Sequence, residues 1–151
     1  MILDKRNEFC DATALNTGAA GTYLIGDQID LGVARDIGVG EQLYLVITVD
    51  TPPTSGGAAT AQFTLASDDT ANIATNGTAS VHFQTKAFSI AEMTAGAVLA
   101  AVPLPLEGVA YERFLGILQT TGTAAFTGGK INAFLTHDVA KWKSYDAPFQ
   151  L

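Results

Sequence analysis

The chain has 151 residues, enough for one compact domain. Its 15 acidic residues outnumber 8 basic ones for a formal charge of -7, the reverse of the basic stripe that a nucleic-acid binder carries. Charged residues make up 15 % and hydrophobic ones 48 %, which excludes a disordered chain and implies a folded body with a weakly charged surface. The single cysteine, Cys10, has no second thiol for a disulfide or a metal cluster, so nothing calls for an oxidising compartment.

The opening residues 1–16, MILDKRNEFCDATALN, carry charges at Asp4, Lys5, Arg6, Glu8 and Asp11 and so lack the apolar centre of a signal peptide. They show no strand periodicity and are read as an N-terminal arm. A first strand is expected around Tyr23 to Leu31. The strongest runs from Gln42 to Asp50, with Leu43, Leu45, Ile47 and Val49 on one face and Tyr44, Val46 and Thr48 on the other, as in a central strand. Pro52 and Pro53 should end it, because neither can donate a ladder hydrogen bond.

From Ala61 to Ala66, Ala61, Phe63 and Leu65 alternate with Gln62 and Thr64, a half-buried pattern that Ser67, Asp68 and Asp69 should stop. Ala79, Val81 and Phe83 then alternate with Ser80, His82 and Gln84, which places His82 on a wet face. Ser89 followed by Glu92 reads as a capping box opening a short helix over residues 89–95, with Gly96 placed to end it. Residues 97–102 form a strand of small apolar residues stopped by Pro103 and Pro105. Residues 111–120 form a second central strand, and after the Gly128-Gly129 turn residues 130–137 form the last. The longest apolar stretch, Ala95 to Leu106, contains two prolines and falls short of the ~20 residues a bilayer requires, so a membrane is not an expected partner.

Seven or eight short strands with one helical turn indicate an all-β, jelly-roll-like two-sheet antiparallel sandwich over residues 17–138. Residues 139–151, VAKWKSYDAPFQL, again lack periodicity and are read as a C-terminal arm. Outside residues 7–140 the two ends are basic, since Lys5, Arg6, Lys141 and Lys143 face only Asp4 and Asp146, and residues 7–140 between them are acidic.

Candidate chemistry is sparse. His82 and His137 lie in different strands, and only Asp138 stands close in sequence to either, pointing to the opposite face from His137. The DDTANIATNGTA stretch lacks the ligand spacing of a calcium loop. Gly129-Lys130 lacks a Gly at position 124 and a Ser or Thr at 131 for a phosphate loop, and no serine stands in a Gly-x-Ser-x-Gly elbow. No enzyme, metal or cofactor is expected. The two ends carry the features of contact arms: Trp142 between Lys141 and Lys143, with Tyr145 and Phe149 beyond, offers aromatic anchors and positive charge. The same tail packing on its own body and covering a sheet edge is an equal alternative.

Four segments resemble the capsid cement, or decoration, proteins of short-tailed bacteriophages: MILDKRNEF with Asp11-Ala12, the turn from Ile90 to Gly96, YERFLGIL at 111–118, and TGGKINAFLTHDV at 127–139. The resemblance implies a structural virion protein, made in the host cytoplasm and bound to the outer face of the capsid, where it staples adjacent major capsid protein subunits. It also implies self-association, as a homodimer in preference to a homotrimer on capsid symmetry axes. The expected shell contacts are Lys5, Arg6, Phe9, Lys141, Trp142, Lys143, Tyr145 and Phe149, while the face of Tyr44, Val46 and Thr48 is a candidate oligomer interface. The alternative is a carbohydrate- or receptor-binding sandwich module of a phage particle.

Overall fold

The computed structural model describes residues 4–35 and 40–139. They form nine strands: β1 (Glu8–Ala14), β2 (Gly21–Asp30), β3 (Tyr44–Thr54), β4 (Thr60–Asp68), β5 (Ser80–Gln84), β6 (Phe88–Ser89), β7 (Val98–Pro103), β8 (Phe114–Gly122) and β9 (Gly128–Thr136). The first sheet has the order β1-β9-β3-β7; the second has β2-β8-β4-β5, with β6 also on β4. All pairings are antiparallel. The chain is thus one long hairpin, β1 on β9, β2 on β8, β3 on β7 and β4 on β5 and β6, with successive pairs rolled into alternate sheets. That is the jelly-roll form of an all-β sandwich.

Between the sheets lies the core that the alternating residues predict. Leu45, Ile47 and Val49 of β3 and Ile131, Ala133 and Leu135 of β9 meet Ala61, Phe63 and Leu65 of β4 and Leu115 and Ile117 of β8. Each fully buried Leu, Ile or Phe contributes about 1.5–3 kcal/mol of transfer free energy, which makes this layer the main source of stability. At one end the buried Gln119 side chain accepts from the Asn16 N–H (2.9 Å) and donates to the Asn16 carbonyl (3.1 Å) and Thr121 Oγ1 (2.8 Å). It fixes the β1–β2 connection without leaving a polar atom unpaired.

The second sheet is also covered on its outer face. Asp68 accepts from the Ala74 N–H (3.0 Å) and shapes the loop after β4, and Ile73 of that loop packs with Ala66 and Leu118. Gly116 makes room for it, since a Cβ there would lie 2.6 Å from Ile73 Cδ1. The double-sided burial expected of residues 111–120 follows from this plug. The strand itself begins only at Phe114, while Tyr111 is buried with its hydroxyl donating to the Pro105 carbonyl (2.8 Å).

The structure corrects several expectations. Residues 8–14 are not an arm but an edge strand, whose register shifts twice, between Glu8 and Cys10 and between Cys10 and Thr13. These bulges erase the period-two signal. β3 continues through Pro52 and Pro53 to Thr54, because beyond Thr48 it has left β7 and keeps only β9, so the prolines occupy an edge. The helix expected over residues 89–95 is a single 3-10 turn, Ile90–Glu92, where Glu92 accepts from the Ser89 N–H (2.8 Å) and hydroxyl (3.0 Å). In β5 the register slips at His82, since Leu65 pairs with Phe83 but Ala66 with Val81. Val81 is therefore turned out to 47 % exposure and Phe83 packs on the core.

Candidate functional site

Lys5 and Arg6 stand on a 3-10 turn, Lys5–Asn7, set by Asp4: its carboxylate accepts from the Arg6 N–H (3.0 Å) and its carbonyl from the Asn7 N–H (2.8 Å). Phe9 and Cys10 then anchor the chain, buried in the core at the start of β1. The two basic side chains are exposed, yet they leave from a backbone held at both ends.

They line a surface groove of about 550 Å³ with Glu8, Asp27, Asp30 and Arg35. Arg113 holds Asp30 in a two-pronged pair, Nε to Oδ1 and Nη2 to Oδ2 at 2.9 Å each, and the Gly32 N–H adds a bond of 2.8 Å. These contacts, the guanidinium first, hold the Asp30 carboxyl down at about 2. Its charge is already engaged. Among the described residues Lys5, Arg6 and Arg35 have no ion-pair partner, so the groove presents three available cations to an incoming carboxylate or phosphate. Glu8 and Asp27 stand among them, an alternation suited to a mixed-charge protein surface rather than a continuous phosphate backbone.

Of the contact residues expected from sequence, Lys5 and Arg6 meet here. Phe9 is corrected: at 1 % exposure it is a core residue, since the first strand turns it inward. Lys141, Trp142, Lys143, Tyr145 and Phe149 lie outside the described residues. Of the candidate oligomer-interface face, Val46 and Thr48 are buried within the chain itself, whereas Tyr44 beside them is half-exposed. Arg35 was missed, because a lone arginine between Ala34 and Asp36 carries no pattern.

The histidines do not converge. His137 is exposed at the end of β9 in the first sheet, with Nδ1 3.1 Å from the Gln42 carbonyl. His82 belongs to the second sheet and, instead of facing water, stacks on Tyr111 with ring centroids 3.9 Å apart. The Ser67 hydroxyl lies 2.7 Å from His82 Nε2 and accepts from the Glu112 N–H at 3.0 Å, while Ser80 bonds the Glu112 carboxylate. This resembles a nucleophile–base pair, but Ser67 is 0 % exposed and its oxygen is held by two partners, which makes it a pin between β4, β5 and the segment before β8. Among the described residues no group of three His, Cys, Asp or Glu side chains could hold a metal ion, and no helix is long and apolar enough to cross a membrane.

A family model described as Bbp16 matches residues 9–135, from the second residue of β1 to the penultimate residue of β9. The match spans the sandwich and includes Arg35, whereas Lys5, Arg6 and everything beyond Leu135 lie outside it. No curated protein matches the chain.

Proposed function

The chain belongs to the Bbp16 family, and from that membership we propose that it is a non-enzymatic structural protein of a phage particle, a cement protein that binds the outside of the head and staples major capsid protein subunits. The observation that carries the reading is the family match over the whole sandwich, with a name that hints at a phage protein. Three features support it. The jelly roll is filled by its own side chains. The Ser67–His82 pair is sealed. The rigid turn at Lys5 and Arg6 offers cations, with Arg35, to an acidic surface.

In this reading Lys5, Arg6 and Arg35 pair with carboxylates of neighbouring shell subunits. The protein acts as a homodimer on shell symmetry axes, so that modest contacts add through effective concentration. Its partners are the major capsid protein and itself, and its place is the outer capsid surface after synthesis in the host cytoplasm.

Co-sedimentation with phage heads lacking the protein tests this. Saturation at a fixed copy number per shell is expected, with binding weakened at high salt and by Lys5→Glu, Arg6→Glu and Arg35→Glu together. Absence of binding to expanded heads would overturn the cement role and favour a receptor- or glycan-binding module.

A further inference from the structure

Asn76 and Gly77 stand in the loop between β4 and β5, both exposed to water. The chain's other asparagines are each followed by a residue with a side chain: Asn7 by Glu8, Asn16 by Thr17, Asn72 by Ile73 and Asn132 by Ala133. Among the described residues no group accepts from the Gly77 N–H, and beyond its two chain neighbours no atom lies within 4 Å of where a Cβ would stand. This main-chain nitrogen is therefore open and uncrowded. The Asn76 amide oxygen, by contrast, is engaged, accepting from the Thr78 N–H (3.1 Å) and the Thr78 hydroxyl (2.7 Å). Both donors are aimed at the atom on which negative charge develops when the amide carbon is attacked.

We propose that Asn76 is a site of spontaneous deamidation, with Gly77 supplying the nucleophile and Thr78 steadying the charge. The Gly77 nitrogen, its proton lost to hydroxide, bonds to Asn76 Cγ. The bond from Cγ to the side-chain nitrogen then breaks, and that nitrogen takes up a proton from water and leaves as ammonia. The product is a cyclic succinimide, and water adds across one of its two carbonyl–nitrogen bonds. Opening at Cγ leaves an aspartate, whereas opening at the main-chain carbonyl routes the backbone through Cγ as isoaspartate. No electrons are exchanged, and water is the co-reactant in both steps. During the first attack the Thr78 N–H and hydroxyl hold the developing oxyanion. Asn72 in the same loop provides the contrast, because Ile73 after it is 1 % exposed and packed with Ala66 and Leu118, so its nitrogen is held and its β-branched side chain crowds the approach. Each conversion adds a negative charge to the loop, which grows more acidic with age. The inference stands apart from the proposed capsid role.

Incubation of the purified protein at mildly alkaline pH, followed by peptide mass spectrometry, tests this. A gain of about 1 Da is expected at Asn76 and not at Asn72, with isoaspartate among the products and a rate that rises with hydroxide concentration. Gly77→Ala should slow the reaction several-fold by crowding the nitrogen. Thr78→Val keeps the side-chain shape but loses the hydroxyl and should also slow it several-fold, while Thr78→Ser should restore the rate. All three positions are exposed, so far-ultraviolet circular dichroism should be unchanged in each variant. No gain at Asn76, or an equal gain at Asn72, overturns the proposed site. A rate indifferent to Thr78→Val overturns the part assigned to Thr78.

Discussion

Gly26 of β2 lies so close to Phe9 of β1 that a Cβ on it would sit 2.1 Å from the Phe9 carbonyl oxygen and 2.6 Å from Cys10 Sγ. The two edge strands belong to different sheets, and this contact closes the sandwich along one side. Gly26 also has φ 69°, a conformation costly to any residue with a side chain. Gly26→Ala therefore combines backbone strain with a clash against backbone and should destabilise by about 2–4 kcal/mol. Urea unfolding measures it, and a loss below about 1 kcal/mol would show that β1 and β2 separate easily.

The Ser67–His82–Tyr111 pin is a stability device. Ser67→Ala removes the acceptor of the Glu112 N–H and a partner of His82, which should cost about 1–3 kcal/mol. His82→Ala loses the stack on Tyr111. The double variant should cost less than the two single losses added, because both act through one network. Strict additivity in denaturant melts would mean that the contacts are independent.

Asp30 and Glu92 each tie a small part of the stability to acid pH. Arg113, then the Gly32 N–H, lowers the Asp30 carboxyl from 3.8 to about 2; Lys86, then the Ser89 N–H and hydroxyl, lowers Glu92 from 4.5 to about 2. A carboxyl depressed on folding stabilises above its unfolded value, so this contribution is present at neutral pH and is lost as pH falls from about 4.5 towards 2. Both groups are exposed, so salt should reduce the effect. Arg113→Gln should move the Asp30 midpoint, followed by carboxyl NMR, up towards 3.8. A midpoint already at 3.8 in the unmodified protein would refute the pairing in solution.

Cys10 should be inert while folded. Burial, the largest influence, raises its thiol to about 12 from 9.0. At pH 8 the thiolate population falls about a thousandfold, and the sealed core blocks access as well. Labelling with a thiol reagent should be negligible in the native protein and become rapid in denaturant. Labelling at the rate of a free thiol would mean that β1 detaches from β9 readily.

Much of the sandwich was legible because alternation is a local property. Residues 42–50, 61–66 and 130–137 show in their own side chains which way each must face, and the strands there follow. The family match spans this framework. At the candidate site only Lys5 and Arg6 could be read in advance. Their basic character is visible in the chain, but Arg35 comes to them only when β2 runs beside the turn, and Phe9 was misread because the bulges in β1 hide its inward face.

What the sequence determined by itself is the set of short amphipathic strands and the acidic body. Tertiary structure decided where the alternation breaks. The Ala12 N–H meets Asn132 Oδ1 at 2.7 Å across 120 residues of chain, and the slip at His82 is placed by β4 and the segment before β8. Such bulges are fixed by partners distant in sequence, whose hydrogen bonds and buried side chains outweigh local preference.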